Sequence, residues 1–372
     1  MQTDIQSQTA EELEAAFKQW NEPRYRVSQL LQWLHVKRAS AWDEMTNLPR
    51  TLRDRLQLEY AFHPLELVQK QGAVETTQKF LWKLADGAMI ESVLIPANPA
   101  LYGEPSDRHT LCVSTQVGCA YGCQFCASGL NGLKRNLEAG EIVGQFLAVE
   151  RLHGQSPLGK REPGTRLVSN LVIMGMGEPL ANFENLIRAL HILNAPWGGG
   201  IGARKITVST SGLVPQIRRL ADEPAQYRLA ISLHGATDEI RSRIMPVNKK
   251  YPLAELAAAC EYYQEKKGKV LTFEYILIAG VNDQPEQAAL LATLARRLNA
   301  KVNLIPYNHV EGLPWERPDA ATQEAFLKAL EKRKITATLR REKGHEIDAA
   351  CGQLRLRTER ALAGQGGADR ES

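Results

Sequence analysis

The stretch that decides the reading is HTLCVSTQVGCAYGCQFCASG, residues 109–129. A β-branched and apolar run, TLCVST, leads into a glycine-containing loop with Cys119, Cys123 and Cys126 at the spacing C-x3-C-x2-C and Phe125 just before the last cysteine. From His109 onward, short apolar runs alternate with longer amphipathic segments, the pattern of βα units on a parallel sheet. The strand candidates are TLCVST, LVSNLVIM, KITVST, RLAISL, VLTFEYILI, KVNLIP and ITATLR. Helix candidates between them include EAGEIVGQFLAVERL, PLAELAAACEYYQEKK, PEQAALLATLARRL and ATQEAFLKALEKRK. Six or seven such units are too few for a closed barrel of about eight strands, so an α/β fold with a partial (β/α) barrel is expected.

Upstream of this core, VETTQKFLWKL and AMIESVLIP read as two strands joined at Asp86-Gly87, a favoured hairpin turn. Before them, apolar residues recur at helical spacing through AAFKQW and at Val27, Leu30, Leu31, Trp33 and Leu34, and Pro49 precedes another helical segment, TLRDRL. The organisation expected is a helical N-terminal domain at 1–62, a β-hairpin linker with an extended loop at 63–108, the barrel at 109–360 and a disordered tail at 361–372.

Hydrophobic residues make up 44% of the 372 and charged residues 24%, the balance of an ordinary globular protein, which excludes disordered and collagen-like classes. Forty-six basic against 42 acidic residues give a net charge of +4, too even to demand a nucleic-acid partner and compatible with one. No apolar run reaches the roughly 20 residues that span a bilayer, and MQTDIQSQTAEELEAAF lacks the pattern of a signal peptide, so no membrane association and a cytoplasmic location are expected. In that reducing setting cysteines read as metal or redox groups before disulfides. There are six, at Cys112, Cys119, Cys123, Cys126, Cys260 and Cys351, and four of them fall within fifteen residues.

Functional groups of parallel α/β folds collect where strands end and loops begin. The unusual segments lie there: the cysteine loop, then GMGEP, STSG, SLHG and PYNHV. Three thiolates can hold three corners of an iron-sulfur cube and leave one iron open to the amino and carboxylate groups of S-adenosylmethionine. A zinc site is the competing reading, with His109 or Cys112 as fourth ligand. Cys260, in an amphipathic helix, reads as a core residue. Cys351 reads as functional, because the polar residues His345, Glu346 and Asp348 precede it in a glycine-bounded segment after the last strand.

C-x3-C-x2-C with Phe125 resembles the radical S-adenosylmethionine superfamily. The succession TLCVSTQVGC, MGMGEPL, STSGLVP, ISLHG, MPVNKKY, NLIPYN and IDAACGQL, after RYRVSQLLQWLH and MTNLP, is similar to the RlmN group of RNA adenine methyltransferases over residues 23–360. The resemblance implies a [4Fe-4S] cluster on Cys119, Cys123 and Cys126, and S-adenosylmethionine used as two molecules per turnover. It implies Gly177, Glu178, Ser209, Ser232, Leu233, His234 and Asn308 as contacts to that cofactor. Cys351 would carry the methyl group, Cys112 would resolve the protein-RNA adduct by a disulfide with Cys351, and Glu91 would accept a proton. Without the resemblance, Glu91 reads as an outward strand position sharing a face with Val93. The implied partners are 23S rRNA, tRNA and an electron-donating reductase system. Competing activities are Cfr-type methylation of adenine C8 and, from a different class, a zinc-dependent RNA-binding protein or an iron-sulfur electron carrier. RNA contact falls to basic groups at Lys134-Arg135, Arg241, Arg243, Lys249-Lys250, 332–334, Arg340-Arg341 and 355–360, and to Lys37, Arg38, Arg50, Arg53 and Arg55 of the helical domain.

Overall fold

A computed structural model describes residues 2–73, 76–97, 108–154, 165–340 and 352–368, with side chains as far as Ala361. The strands among the described residues, in chain order, are β1 (Thr3–Asp4), β2 (Tyr60–Ala61), β3 (Glu66–Gln71), β4 (Gln78–Lys83), β5 (Met89–Pro96), β6 (His109–Cys112), β7 (Gln116–Gly118), β8 (Leu133–Asn136), β9 (Asn170–Ile173), β10 (Ile206–Thr210), β11 (Arg228–Ser232), β12 (Leu271–Leu277), β13 (Ala300–Pro306) and β14 (Ala337–Leu339). Ten of them form one sheet in the order β14-β13-β12-β11-β10-β9-β6-β5-β4-β3. From β6 to β14 neighbours run parallel and in chain order. The seven strands expected from His109 onward are all present. β14 and β3 are the two ends of the sheet, so it stays open and no barrel closes.

The hairpin is no separate linker. β4 and β5 pair antiparallel across the Asp86-Gly87 turn, where Gly87 has φ +81°, and β5 then pairs antiparallel with β6, with Val93 opposite Cys112. Their hydrogen bonds make the hairpin continuous with the parallel sheet. β3, whose residues are mostly exposed, adds an edge strand that has no apolar alternation to announce it.

The helices between parallel strands cover the sheet with their apolar residues. Leu253–Lys267 buries Leu256, Ala257, Ala259, Cys260 and Tyr263 and stops at Gly268, whose φ of +57° suits a left-handed helix end. Ala320–Lys332 starts at Asp319, whose carboxylate accepts the Thr322 N–H at 2.7 Å. The buried Cys260 of the sequence reading is a core residue here, fully enclosed.

At the N-terminus, Ala10–Gln19, Tyr25–Leu31 and Arg50–Glu59 are helical, the first closed by a reciprocal cap between Thr9 and Glu12. Leu13, Phe17, Leu30, Leu34, Leu52 and Leu56 belong to a hydrophobic cluster separate from that of the sheet. The two units are joined by buried polar contacts. Glu150 pairs with Arg38 at 3.0 Å while accepting the Leu167 and Val168 N–H groups, and Arg151 donates to the Arg38 and Ala39 carbonyls. The last helix runs Gln353–Ala368, into the segment expected to be disordered; the good helix formers in RTERALAGQ carry it on.

Candidate functional site

The cysteine loop leaves β7 with Gly118 at φ +80° and Gly122 at φ +60°. Both conformations favour glycine. At Gly118 a Cβ would also fall 2.0 Å from the Gly132 carbonyl oxygen, so only glycine lets the loop fold back there. The loop is tied to its surroundings by the Gln124 N–H donating to the Ile244 carbonyl at 2.9 Å, and by the Trp315 indole donating to the Gln124 carbonyl at 2.8 Å. Phe125 meets the edge of His234, ring centroids 4.8 Å apart. The motif aromatic thus joins the cysteine loop to the SLHG turn.

Burial and mutual repulsion with Cys126 push the Cys119 thiol up to about 12, and burial raises Cys123 as well. Thiols in such a place ionise when a bound cation compensates the charge, which suits a metal centre. Three thiolates on one short loop can each take a different iron of a cube, so the donor set fits an iron-sulfur cluster.

The cofactor contacts implied by the resemblance line successive strand ends beside this loop. After β9, Gly177 adopts φ +101°, and a Cβ there would lie 2.6 Å from Gln116 Cβ. Glu178 is buried, with its oxygens accepting the Leu180 N–H at 3.1 Å and the Ser211 N–H at 2.7 Å. Desolvation raises its pKa, and its charge acts on Cys119, Cys123 and Tyr121, which places it against the cysteine loop. On β10 and β11 the Ser209 and Ser232 hydroxyls are 3.4 Å apart. Leu233 is buried, and His234, at φ +57°, accepts the Ile276 N–H at Nδ1. Burial lowers the His234 pKa to about 3, so the ring is neutral. Asn308 is half-buried in the loop after β13.

Glu91 and Cys112 occupy the antiparallel side. Glu91 sits on β5 two residues from Val93, which faces Cys112, so the two side chains share one face of the sheet. The expectation of an outward Glu91 fails: it is 2% exposed and ion-paired to Lys79 at 3.2 Å. Its carboxylate also accepts the Gly352 N–H at 2.9 Å and the Arg355 N–H at 2.7 Å, capping the last helix. Gly352, at φ +88°, packs so close to Ser128 that a Cβ would lie 3.0 Å from the Ser128 nitrogen. Ser128 is two residues past Cys126. Cys351, with His345, Glu346 and Asp348, lies outside the described residues, as does most of the loop before β6. No disulfide joins two described cysteines.

Two basic groups assigned to RNA are internal. Arg241 is fully buried, donating to the Leu233 and Ser211 carbonyls and to Asn248 Oδ1, and so ties together the STSG, SLHG and MPVNKK turns. Arg355 is fully buried and pairs with Glu359. Arg38 is engaged with Glu150, and Arg135 with Asp86 and Glu141. Sequence reasoning also missed Lys79, Glu274 and Asn303. Glu274 lies on β12 opposite Ser232 and Asn303, and accepts the Asn303 amide at 2.7 Å. The available signal was a charged residue inside an otherwise apolar strand.

An open α/β sheet, parallel over its larger part, with a three-cysteine loop and short turns at its strand ends is the architecture of a radical S-adenosylmethionine enzyme, and residues 113–292 match the radical SAM superfamily model. Residues 3–61 match the ribosomal RNA large subunit methyltransferase N-terminal domain. The chain is 55% identical over 357 residues to the probable dual-specificity RNA methyltransferase RlmN 3 of Opitutus terrae, covering 96% of this chain and 95% of that one. It is 46% identical over 351 residues to the dual-specificity RNA methyltransferase RlmN of Anaeromyxobacter dehalogenans, covering 94% and 91%. Its fold superimposes with a TM-score of 0.85 on the crystal structure of a radical SAM methyltransferase from Sphaerobacter thermophilus, at 45% identity over 94% of this chain and 98% of that one. The chain belongs to the RlmN family of radical S-adenosylmethionine RNA methyltransferases.

Proposed function

We propose that the protein methylates C2 of an adenine in 23S rRNA and of an adenine beside the tRNA anticodon, using Cys351 as the methyl carrier. Adenine C2 is an electron-poor carbon and cannot attack the methyl group of S-adenosylmethionine, so the methyl must arrive on a protein atom. The observation that carries the reading is the cap on the last helix. Because Glu91 holds the Gly352 N–H, the residue next in chain to Cys351 is fixed beside the cysteine loop and on the face that bears Cys112.

Cys119, Cys123 and Cys126 would hold a [4Fe-4S] cluster, and Gly177, Glu178, Ser209, Ser232, Leu233, His234 and Asn308 would receive S-adenosylmethionine. Bound there, the pair would supply radical chemistry, a deoxyadenosyl radical able to take a hydrogen atom from the methyl group on Cys351. Glu178 accepts from an ammonium, and Gly177 permits backbone approach. Cys351 would take its methyl group by displacement from one molecule of S-adenosylmethionine, and a second would be the radical source, giving two per turnover. The thiomethylene carbon would add to C2; loss of the C2 proton to Glu91 and of one electron, returned to the cluster, would restore the ring, and attack of the Cys112 thiolate on the Cys351 sulfur would break the S–CH2 bond, the CH2 taking a proton to become the methyl group as a disulfide forms. Re-reduction of that disulfide calls for a reducing cytoplasm and an electron-donating reductase. No described helix is long and apolar enough to cross a membrane.

The test is a Cys112→Ala variant produced with its cluster. Covalent RNA attached through Cys351 is expected, together with 2-methyladenosine as the product of the unaltered enzyme. An 8-methyladenosine product, or a variant that turns over normally, would overturn the assignment.

A further inference from the structure

The antiparallel side of the sheet carries a buried cation for which the chemistry above has no use. Lys79 lies on β4 opposite Val93, and Val93 lies opposite Cys112, so the three form one row across the strands on the face that also bears Glu91. The ammonium is 1% exposed and stands 3.2 Å from Glu91 Oε2. That same oxygen accepts the Gly352 N–H, and the other carboxylate oxygen accepts the Arg355 N–H. A carboxylate at a helix N-terminus is favourable, but one this deeply buried also needs a compensating charge. Lys79 provides it.

Further along, the helix is held by Leu356, which packs into the main core, by the Gln353 amide, which donates to the His309 carbonyl, and by an Arg360–Glu311 pair at 2.9 Å. Leu354 joins Leu81 and Met89 in a small apolar cluster apart from the main core. Glu359 pairs with Lys134 across a partly exposed 3.5 Å contact, which holds little in water.

We infer that Lys79 is a positioning residue: through Glu91 it fixes the N-terminal turn of the last helix and thereby anchors the chain at Gly352, the residue that follows Cys351 in sequence and packs on Ser128. The effect on Cys351 rests on the methyl-carrier reading above, whereas the effect on the helix turn does not. Removing the ammonium leaves Glu91 buried with two N–H partners and, among the described residues, no ion-pair partner. The carboxylate then has reason to turn toward water and drop the turn it holds.

The experiment uses the full-length, cluster-loaded protein as Lys79→Met and Lys79→Arg variants. Hydrogen exchange is followed at Gly352 and Arg355 and, for reference, along β12, and methylation of Cys351 by S-adenosylmethionine is followed by peptide mass. Lys79→Met is expected to exchange at least about tenfold faster at Gly352 and Arg355 with β12 unaltered, and to methylate Cys351 at least about tenfold more slowly at saturating cofactor, by the energetics of a buried charge left alone. Lys79→Arg, which keeps the charge, is expected to recover most of both. Unchanged exchange at the two amides, or acceleration spread evenly through β12, overturns the inference. Altered exchange with normal Cys351 methylation would retain the helix contact and overturn the link to Cys351. Should Lys79→Met not fold, the paired Lys79→Met/Glu91→Gln variant removes both charges together and takes the same exchange test, with faster exchange at Gly352 and Arg355 again expected.

Discussion

The two halves of the sheet handle buried charge in opposite ways. On the parallel side, from β9 to β13, these interior groups have no ion pair among the described residues, and desolvation moves them: Glu178 upward, Glu274 to about 7, and the His234 ring down to about 3. On the antiparallel side, charge is met by charge, with Lys79 on Glu91. The parallel side presents preformed strand-end turns, held by backbone and by the Arg241 side chain. The antiparallel side is completed by a helix that arrives from the far end of the sequence and is held at its first turn. A site for a small cofactor can be built in advance from neighbouring strand ends. The half proposed to carry a methyl group is instead closed by a distant segment, fixed at Gly352 and Arg355.

The largest expected effect lies at the junction of the halves. Cys123→Ala should abolish iron binding and reduce RNA methylation to background while leaving the thermal transition close to that of the apoprotein, because the loop is tied elsewhere through Gln124. Anaerobic iron analysis alongside a thermal melt checks this. Retained iron with full activity would break the comparison at its root.

Arg241→Met should act on the parallel half alone. Its guanidinium makes three hydrogen bonds, to Leu233, Ser211 and Asn248, in a fully buried setting. Charged hydrogen bonds contribute about 1.5–3 kcal/mol each, so the loss should be on the order of 4 kcal/mol after partial relaxation. Denaturant unfolding measures it. Exchange at Gly352 and Arg355 should remain slow, and if those amides loosen as much as the STSG and SLHG turns, the halves are not independent.

Glu274→Gln tests the lone-charge side by pH. The Glu274 pKa is raised by burial from 4.5 to about 7. The folded protein therefore holds its proton more tightly than the unfolded chain does. The resulting stability is fully present below 4.5 and is lost as pH rises through about 7. Over that window the loss is about 3 kcal/mol. The glutamine variant, which cannot ionise, should lose less stability between pH 5 and pH 8 than the unaltered protein does, by roughly that amount. Parallel melts in matched buffers decide it, and identical slopes would remove the premise that this carboxyl bears an uncompensated charge.

How much of this was legible in the sequence follows the same division. The parallel half could be read strand by strand, because βα alternation is a local signal and its turns carry short motifs at strand ends. The seven strands from His109 onward and the turns at their ends were recoverable in that way. β3 was not, since its edge position leaves it without apolar alternation. Nor was the pairing of Lys79 with Glu91, or the cap that Glu91 makes on Gly352 and Arg355, more than 250 residues away in sequence. Contacts between distant segments leave no spacing to read. Arg241 looked like a phosphate-binding surface group for a related reason: its neighbours Asp238, Glu239 and Arg243 make the short helix polar, and only the close packing of Gly212 and Gly235 against the Arg241 residue reveals that it points inward.

The smallest effect expected is at Gly177, and it bears on whether the parallel half is truly preformed. Gly177 has φ +101°, outside the region an alanine adopts without strain, and an added methyl would press on Gln116 Cβ at 2.6 Å and on Gln116 Oε1 at 2.9 Å. That Oε1 accepts the Glu178 N–H at 2.8 Å, so displacing Gln116 also moves the carboxylate proposed to receive the cofactor ammonium. Backbone strain of this kind costs about 1–3 kcal/mol. Gly177→Ala should weaken S-adenosylmethionine binding to the cluster-loaded protein roughly tenfold or more, because about 1.4 kcal/mol corresponds to a factor of ten. Calorimetric titration measures that, and hydrogen exchange reports whether the last helix responds. If binding falls while Gly352 and Arg355 stay protected, the turn after β9 was set before the cofactor arrived. If binding is unchanged, the turn can reshape itself around the ligand, and the contrast between a preformed half and a latched half loses its first term.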